Sequence, residues 1–482
     1  MSQDGLCKSI RYYSEDFDLS IGRWGIRIFE PLRANYTIVY LSAAVSILLV
    51  AVSAVLLVSL LQIRSMTGSI LTGIVFEVAP SLTATMLHEY VSDLYFLSMV
   101  FILIASLALV RCPNRIAATV LSVIFTVLSL SLYQSYIGIE VGICVFLTAM
   151  MLMDRSLPVR AAYRELLRYA LTVLSGLVIY LVIVKIVQFV SGVGTAAYGG
   201  LSELSVSSVL LSLPSSVSNA YHAFVRYFLR DDFIYNTAWH RDIFFLLFFL
   251  CFGGALIFRI VRDGIYKEKG RLLFLIALML LYPAAVNIIA LIVPTTEFYL
   301  LTTIQMLLVV PFFFAVSEDA AFFVQLLGAV MVLVISATYF MSDVISYKAL
   351  KETYDQAIYG AERILDRMEQ TEGYDRNMPV AFAGWFTEEN YPKDESFWDY
   401  SIGPMVSWQM THGDYYPNTE SIRRFYLQYF DEQIVVADPA TFSAIIASPE
   451  FAEMGTFPAK DSVKVIGGVL VVKLLEHPWP PY

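Results

Sequence analysis

From Tyr36 to Asp343 the chain is a succession of apolar runs of roughly 18–26 residues, the length that crosses about 30 Å of hydrocarbon. This feature excludes most folds. A backbone in lipid must satisfy its own hydrogen bonds, so such runs are read as membrane-spanning helices. The candidate spans are 37–62, 69–87, 92–111, 116–136, 138–153, 166–190, 242–261, 272–293, 298–316 and 320–343. Composition agrees: 58% of residues are apolar and 15% charged, with a mean hydropathy of +0.66, where an ordinary soluble domain has about 25% charged residues. The expected fold is a polytopic α-helical membrane protein of about ten spans.

The spans are oriented by where their basic connections fall. Arg64 follows the first span, Arg111 and Arg115 the third, Arg155, Arg160, Arg164 and Arg168 the fifth, and Arg259, Arg262, Lys267, Lys269 and Arg271 the seventh. The intervening short loops hold His88 and Glu89, Glu140, and Glu297, without Lys or Arg. The basic loops are therefore assigned to the cytoplasm, with one exception, the acidic Glu318–Asp319 connection after the ninth span. Three segments then fall outside: the arm 1–36, a long loop 191–241 within the transmembrane domain 37–343, and the tail 344–482. The arm carries Lys8, Arg11, Arg23, Arg27 and Arg33, an awkward load to translocate unaided. It either crosses alone, lies on the membrane surface, or follows a first span missing from this gene model, and we favour the last.

The loop has apolar residues at helical spacing from Leu201 to Leu229, read as one or two interfacial helices. The tail holds 21 acids and 11 bases, which is all the net charge of −10. Such a tail does not point to nucleic acid or an anionic membrane surface as partner. It opens with a helical run, Tyr347–Gln370, expected to continue the last span. Strand-like runs follow at Val380–Ala383 and Ile434–Ala437, and Ser462–Leu474 reads as a hairpin turning at Gly467-Gly468. The tail is thus expected to be an extracytoplasmic α/β domain. The four cysteines, Cys7, Cys112, Cys144 and Cys251, show no metal or redox spacing.

The densest polar cluster outside the spans is Ser14-Glu15-Asp16-Phe17-Asp18, then Gly22-Arg23-Trp24. A carboxylate here can act as general base toward a sugar hydroxyl, and an arginine can hold a phosphate leaving group. A wetted helix end explains the same residues. His88, Glu89, Tyr90 and Asp93 border the third span, and Tyr133, Gln134 and Tyr136 end the fourth. They are candidate substrate-positioning residues, or interface anchors. Charges inside spans are costly, which singles out Glu77 and Lys185; Lys185 suits a lipid phosphate or snorkels to headgroups. His222, Arg226 and Arg230 share one helical face, fit for a lipid phosphate or anionic headgroups. Trp385, Trp398, Tyr400, Trp408, Tyr415 and Tyr416 form an aromatic stretch suited to sugars or to a small core. No metal site is evident, though two nearby acids can hold Mg²⁺ or Mn²⁺ once substrate is present.

Asp16-Phe-Asp18 with Gly22-Arg23-Trp24 ahead of a span resembles the start of the serotype-converting O-antigen glucosyltransferases. Pro80, Tyr90, Asp93-Leu-Tyr95 and Leu132-Tyr133-Gln134-Ser135-Tyr136 resemble later segments of that family, so the likeness covers roughly residues 12–170. It implies a GT-C-like enzyme in the bacterial inner membrane. Such an enzyme takes a hexose, expected to be glucose, from undecaprenyl phosphate and passes it to lipopolysaccharide O-antigen or a related glycan on the outer side. By the same resemblance Asp16 and Asp18 correspond to the acidic motif of the first outer loop. This motif reads Glu-Asp-Phe-Asp rather than adjacent aspartates, which leaves open which acid is the base. Arg23, Lys185, Arg226 and Arg230 are the expected phosphate-binding residues, and Glu89, Asp93, Tyr133 and Gln134 the positioning ones. The rival readings are an O-antigen polymerase or ligase, a lipid-linked sugar transporter or flippase, and a membrane scaffold.

Overall fold

A computed structural model describes residues 16–196, 206–229, 241–293, 300–384 and 415–476. Arg230 and most of the aromatic stretch, from Trp385 to Trp408, lie outside the described residues. The chain forms two compact units, one from Tyr13–Met86 with Tyr90–Asp343, the other including Leu87–Glu89 and Val344–Tyr482.

Among the described residues eight helices are long and apolar enough to cross a membrane: Val39–Leu60, Ser92–Arg111, Arg115–Leu132, Gln134–Met153, Val159–Ser191, Arg241–Arg262, Lys269–Val286 and Phe322–Lys348. A ninth crossing is made if the pair Met66–Glu77 and Pro80–Met86, bent by 42°, counts as one. About ten were expected, one of them at 298–316. The run at 298–316 resolves into 3-10 turns at Leu300–Thr302 and Ile304–Leu308 and a helix of 9 residues, Val309–Ser317. Its polar start and Pro311, which lacks a backbone N–H, suit short turns better than one long helix. Among its described residues the loop forms one helix, Val206–Leu229, which buries Ala220, Ala223, Tyr227 and Phe228 against the bundle.

Small and hydroxylated residues let the spans approach closely. Ser46 donates to Ser92 across 3.2 Å, and Ser98 meets Ser129 at 2.9 Å. Glu140, expected in a wetted connection, is instead fully buried in the helix Ile137–Met153. Its carboxylate accepts from Thr126 at 3.0 Å and Ser122 at 3.4 Å.

The bundle has two chemically distinct ends. One carries the arm and the starts of Val39–Leu60 and Ser92–Arg111. At the other, the arginines are tied down: Arg155 to Glu268 at 2.9 Å, Arg262 to Asp319 at 3.2 Å, and Arg271 to the carbonyls of Leu152, Asp154 and Leu157. Arg271 and then Arg155 hold the Glu268 carboxyl below the usual carboxylate range. The acidic Glu318–Asp319 connection also sits here, where Glu318 accepts the backbone N–H of Ser65 at 3.2 Å and lies 4.0 Å from Arg64. The exception in the charge pattern is thus a counter-charge to the arginines beside it.

In the second unit, the end of the helix Phe322–Glu369 buries Ala357, Ala361, Ile364 and Met368 against a three-stranded sheet of order β1 (Val380–Ala383), β3 (Val469–Lys473), β2 (Val463–Ile466). β1 runs parallel to β3, and β2 pairs antiparallel with β3 through a turn in which Gly467 and Gly468 have φ +58° and +81°. Two positive φ angles are what a tight hairpin asks of its central residues, and glycine supplies them without strain. The strand expected at Ile434–Ala437 is only an isolated bridge, Val380 to Val436. It is confined between Asp431, at φ +55°, and the helix that Asp438 caps at Pro439.

Candidate functional site

The arm begins with the helix Asp16–Ser20, five residues long. The carbonyls of Phe17, Asp18 and Leu19 accept N–H groups of the arm itself, whereas the last carbonyls, past the end of so short a helix, need partners from elsewhere. Side chains of the spans take them. Gln188 Nε2 donates to the carbonyls of Leu19 and Ser20 at 3.2 and 3.1 Å, and Gln134 Nε2 to that of Ile21 at 2.7 Å. The Tyr180 hydroxyl donates to the carbonyl of Gly22 at 3.2 Å and receives Gln134 Nε2 at 2.9 Å. Leu19, Ile21 and Ile26 bury beneath.

The close approach explains the Gly22-Arg23-Trp24-Gly25 sequence. Gly22 has φ +86°, and a Cβ there would lie 2.4 Å from the Tyr180 hydroxyl. A Cβ on Gly25 would lie 2.1 Å from Ser131 Oγ, and the Gly25 N–H donates to the Ser131 carbonyl at 3.0 Å. Between the two glycines, Arg23 is directed onto the spans. Its Nε donates to Gln134 Oε1 at 3.3 Å and a terminal nitrogen to the Tyr95 hydroxyl. Its guanidinium carbon lies 5.2 Å from the ring centres of both Tyr95 and Tyr133, which stack on each other at 4.2 Å. The negative faces of these rings hold the cation in one place.

The two arm acids differ. Asp16 is on the exposed side and pairs with Arg27 at 3.2 Å; Asp18 is buried, 3% exposed. Asp93, in the first turn of its helix, meets Arg33 at 2.8 Å, and Arg33 also reaches Glu30 at 3.3 Å and the Tyr90 carbonyl. This three-residue ion cluster is nearly covered. Lys185 lies near the arm: its Nζ donates to Thr195 Oγ1 at 3.0 Å, Thr195 donates to Gln188, and the Ala196 N–H bonds the Ser20 carbonyl.

Of the residues singled out in the sequence, Asp16, Asp18, Arg23, Asp93, Tyr133, Gln134 and Lys185 therefore fall at one end of the bundle, around the arm. Arg226 is on the helix Val206–Leu229, whose main neighbours are Ile288–Ile292, Arg241–Arg262 and Lys269–Val286 rather than the arm. Glu89 is half-buried in the turn before Ser92 and belongs to the other compact unit. No signal in the sequence pointed to Gln188 and Tyr180 as partners of the arm, nor to Arg33 as the partner of Asp93. A cavity of 710 Å³ opens at the opposite, basic end, lined by residues such as Leu61, Arg64, Met150, Arg155, Arg259 and Glu318. It is remote from the arm. Among the described residues no group of three or more His, Cys, Asp or Glu is placed to hold a metal.

A family model described as glucosyl transferase GtrII matches residues 8–315. No curated protein and no solved structure matches the chain.

Proposed function

The chain belongs to the GtrII glucosyl transferase family, and from that premise we propose that it moves glucose from a polyprenyl phosphate to a hydroxyl of lipopolysaccharide O-antigen or a related surface glycan, on the outer side of the cytoplasmic membrane. Glycosyl transfer follows from the family; carrier, acceptor and side are our reading. The observation that carries it is the arm itself. Within the matched region, two acids and a fixed arginine are docked where spans end, which suits a sugar carried on a lipid.

In the proposed step the bond from C1 of the sugar to the phosphate oxygen breaks, and its electron pair leaves with the phosphate. The acceptor oxygen bonds to C1 and its proton passes to Asp16 or Asp18 as general base. Polyprenyl phosphate leaves as an anion and asks for a cation rather than an acid. Arg23 suits that need because its position is already set by Tyr95, Tyr133 and Gln134, so little ordering is left for the moment of reaction. Lys185, near the arm, is a further candidate cation for the phosphate. Asp93 shapes the site by holding Arg33, and through it the arm. If the acids take up Mg²⁺ or Mn²⁺ with substrate, chelation abolishes transfer.

The test supplies radiolabelled glucosyl-phosphoryl-undecaprenol and purified O-antigen to membranes containing the protein. Label is expected to enter polysaccharide, and the Asp16→Asn and Asp18→Asn variants separate the base from its neighbour by a loss of about 10²–10⁴-fold in one of them. Full activity in both single variants and in the double variant sinks the assignment. Transfer only of oligosaccharide from a lipid diphosphate, dependent on Arg226, would instead establish the polymerase reading.

A further inference from the structure

The second half of the arm is built inside out. Over the helix Ile26–Phe29 and the 3-10 turn Glu30–Arg33 the acid turns inward: Glu30 is buried and meets Arg33, which also holds Asp93. The apolar residues turn outward, with Ile28 56% and Leu32 83% exposed. Arg27, also on the outer side, reaches back to Asp16 at 3.2 Å, and so long a side chain can carry its charge toward headgroups. Water draws charges out and drives leucines in; hydrocarbon does the reverse.

The depth of this segment follows from the register of the spans. Ser46 meets Ser92 at 3.2 Å, so Ser92–Arg111 starts about 10 Å nearer the basic end than Val39–Leu60 does. Ser98 donates to the Ser129 carbonyl at 2.9 Å, which sets the last turn of Arg115–Leu132 deeper still. The arm is docked on that last turn, where the Gly25 N–H donates to the Ser131 carbonyl at 3.0 Å. Beyond it the Phe29 ring lies 5.5 Å from that of Phe101, a residue about 13 Å along its helix from Ser92. Arg33 then meets Asp93 in the first turn of the same helix, and the chain climbs to Val39. The arm thus descends beside the spans and returns without crossing.

What lies on its outer side is given by the helix beneath it. On Arg115–Leu132, Ile116, Val120 and Ile124 are exposed at a spacing of four, one face of the helix turned to lipid. Ser131, seven positions beyond Ile124, is on that same face. There it is buried, and a Cβ on Gly25 would lie 2.1 Å from its hydroxyl. The arm therefore covers the upper part of a lipid-facing flank, and its own outer side continues that flank.

We propose that residues 26–33 are a re-entrant segment immersed in the outer half of the bilayer, opposite the basic connections, and that Ile28 and Leu32 form a binding surface for lipid acyl chains. Arg23 stands just before this segment, so the leaflet that seats Ile28 and Leu32 also helps to seat Arg23. The inference goes beyond the transfer reading and holds whatever group the chain transfers.

The test reads the contact directly. In the full chain with its native cysteines replaced, Ile28→Cys and Leu32→Cys are each labelled in detergent with a fluorescent maleimide and reconstituted in phosphatidylcholine vesicles. Leu48→Cys, on the exposed face of Val39–Leu60, is the lipid control, and Gly194→Cys, with open space around it, the aqueous one. Phosphatidylcholine brominated on its acyl chains quenches from the lipid, and iodide on both sides of the vesicle quenches from water. Labels at positions 28 and 32 are expected to follow the label at 48, quenched by bromine and not by iodide. Quenching by iodide, as at position 194, overturns the proposal. So does quenching by neither, which would mean that protein covers the face. A second readout needs no label. Leu32→Asp is expected to lower the unfolding temperature in these vesicles and Leu32→Phe to leave it unchanged, because an acid in hydrocarbon is costly and a larger apolar group is not. A Leu32→Asp protein as stable as wild type overturns the immersion, since a side chain so exposed tolerates an acid in water.

Discussion

At the scale of single residues, the arm is held by contacts that tolerate little change. Gly22 combines a positive φ with a 2.4 Å approach between its absent Cβ and the Tyr180 hydroxyl. Gly22→Ala should cost about 1–3 kcal/mol and lower transfer activity with it, because the strain falls on the segment that positions Arg23. Tyr180→Phe removes the clashing oxygen, so the double variant should lose less than the sum of the two single losses, read as unfolding temperature in detergent. Strict additivity would mean that the arm does not dock as described. In the tail unit, Arg376 grips Glu432 through both carboxylate oxygens and holds that carboxyl below its ordinary range. The folded value lies below the unfolded one, so the stabilisation is present above the ordinary carboxylate pKa of about 4.3 and disappears as pH falls through the lowered value. The unfolding temperature of wild type should therefore drop more steeply than that of Glu432→Gln in this acid window, and parallel curves would deny the pair any weight. Sequence alone drew attention to Gly22-Arg23-Trp24 and to the acids before it. It could not show that Gln188 and Tyr180 close on the arm, since those contacts join residues more than 150 apart and leave no periodic trace.

At the scale of elements, the arm is locked to the helix Ser92–Arg111 by Arg33, set between Glu30 and Asp93. Removing one partner from a covered ion cluster leaves charge without compensation. Arg33→Met should therefore destabilise by about 3–5 kcal/mol and abolish transfer. Glu30→Gln and Asp93→Asn added to it should recover most of the folding, as judged by monodisperse yield and unfolding temperature. If the triple variant also recovers activity, Asp93 serves the arm alone; if it folds but stays inactive, Asp93 has a further role at the substrate. Spans were legible because an apolar run of sufficient length can hardly do anything else in this composition. Two elements were misread for a related reason. Apolar content marks burial, but not whether the backbone runs straight. The run at 298–316 is buried as turns and a short helix, and Ile434–Ala437 is covered without gaining a strand partner along its length.

At the scale of the whole molecule, what matters is that the arm and the arginine-rich connections occupy opposite ends of the bundle. The helix Val159–Ser191 separates Ser156, beside the basic end, from Gly194, beside the arm. It is 33 residues long, or about 50 Å, enough for one full crossing. Lysine and arginine bias connections toward the cytoplasm, so the arm with Asp16 and Asp18 should face the other side, which is the side the proposed lipid-linked donor calls for. Ser156 is exposed, and a Cβ on Gly194 meets nothing within 4 Å, so both positions accept cysteine once the native cysteines are replaced. In intact spheroplasts an impermeant maleimide should label Gly194→Cys at once and Ser156→Cys only after permeabilisation. The reverse pattern would put the arm in the cytoplasm, open the site to nucleotide sugars and remove the reason for a polyprenyl carrier. Labelling of both from one side would mean that this helix does not cross, and the two ends of the bundle would no longer correspond to two sides of a membrane.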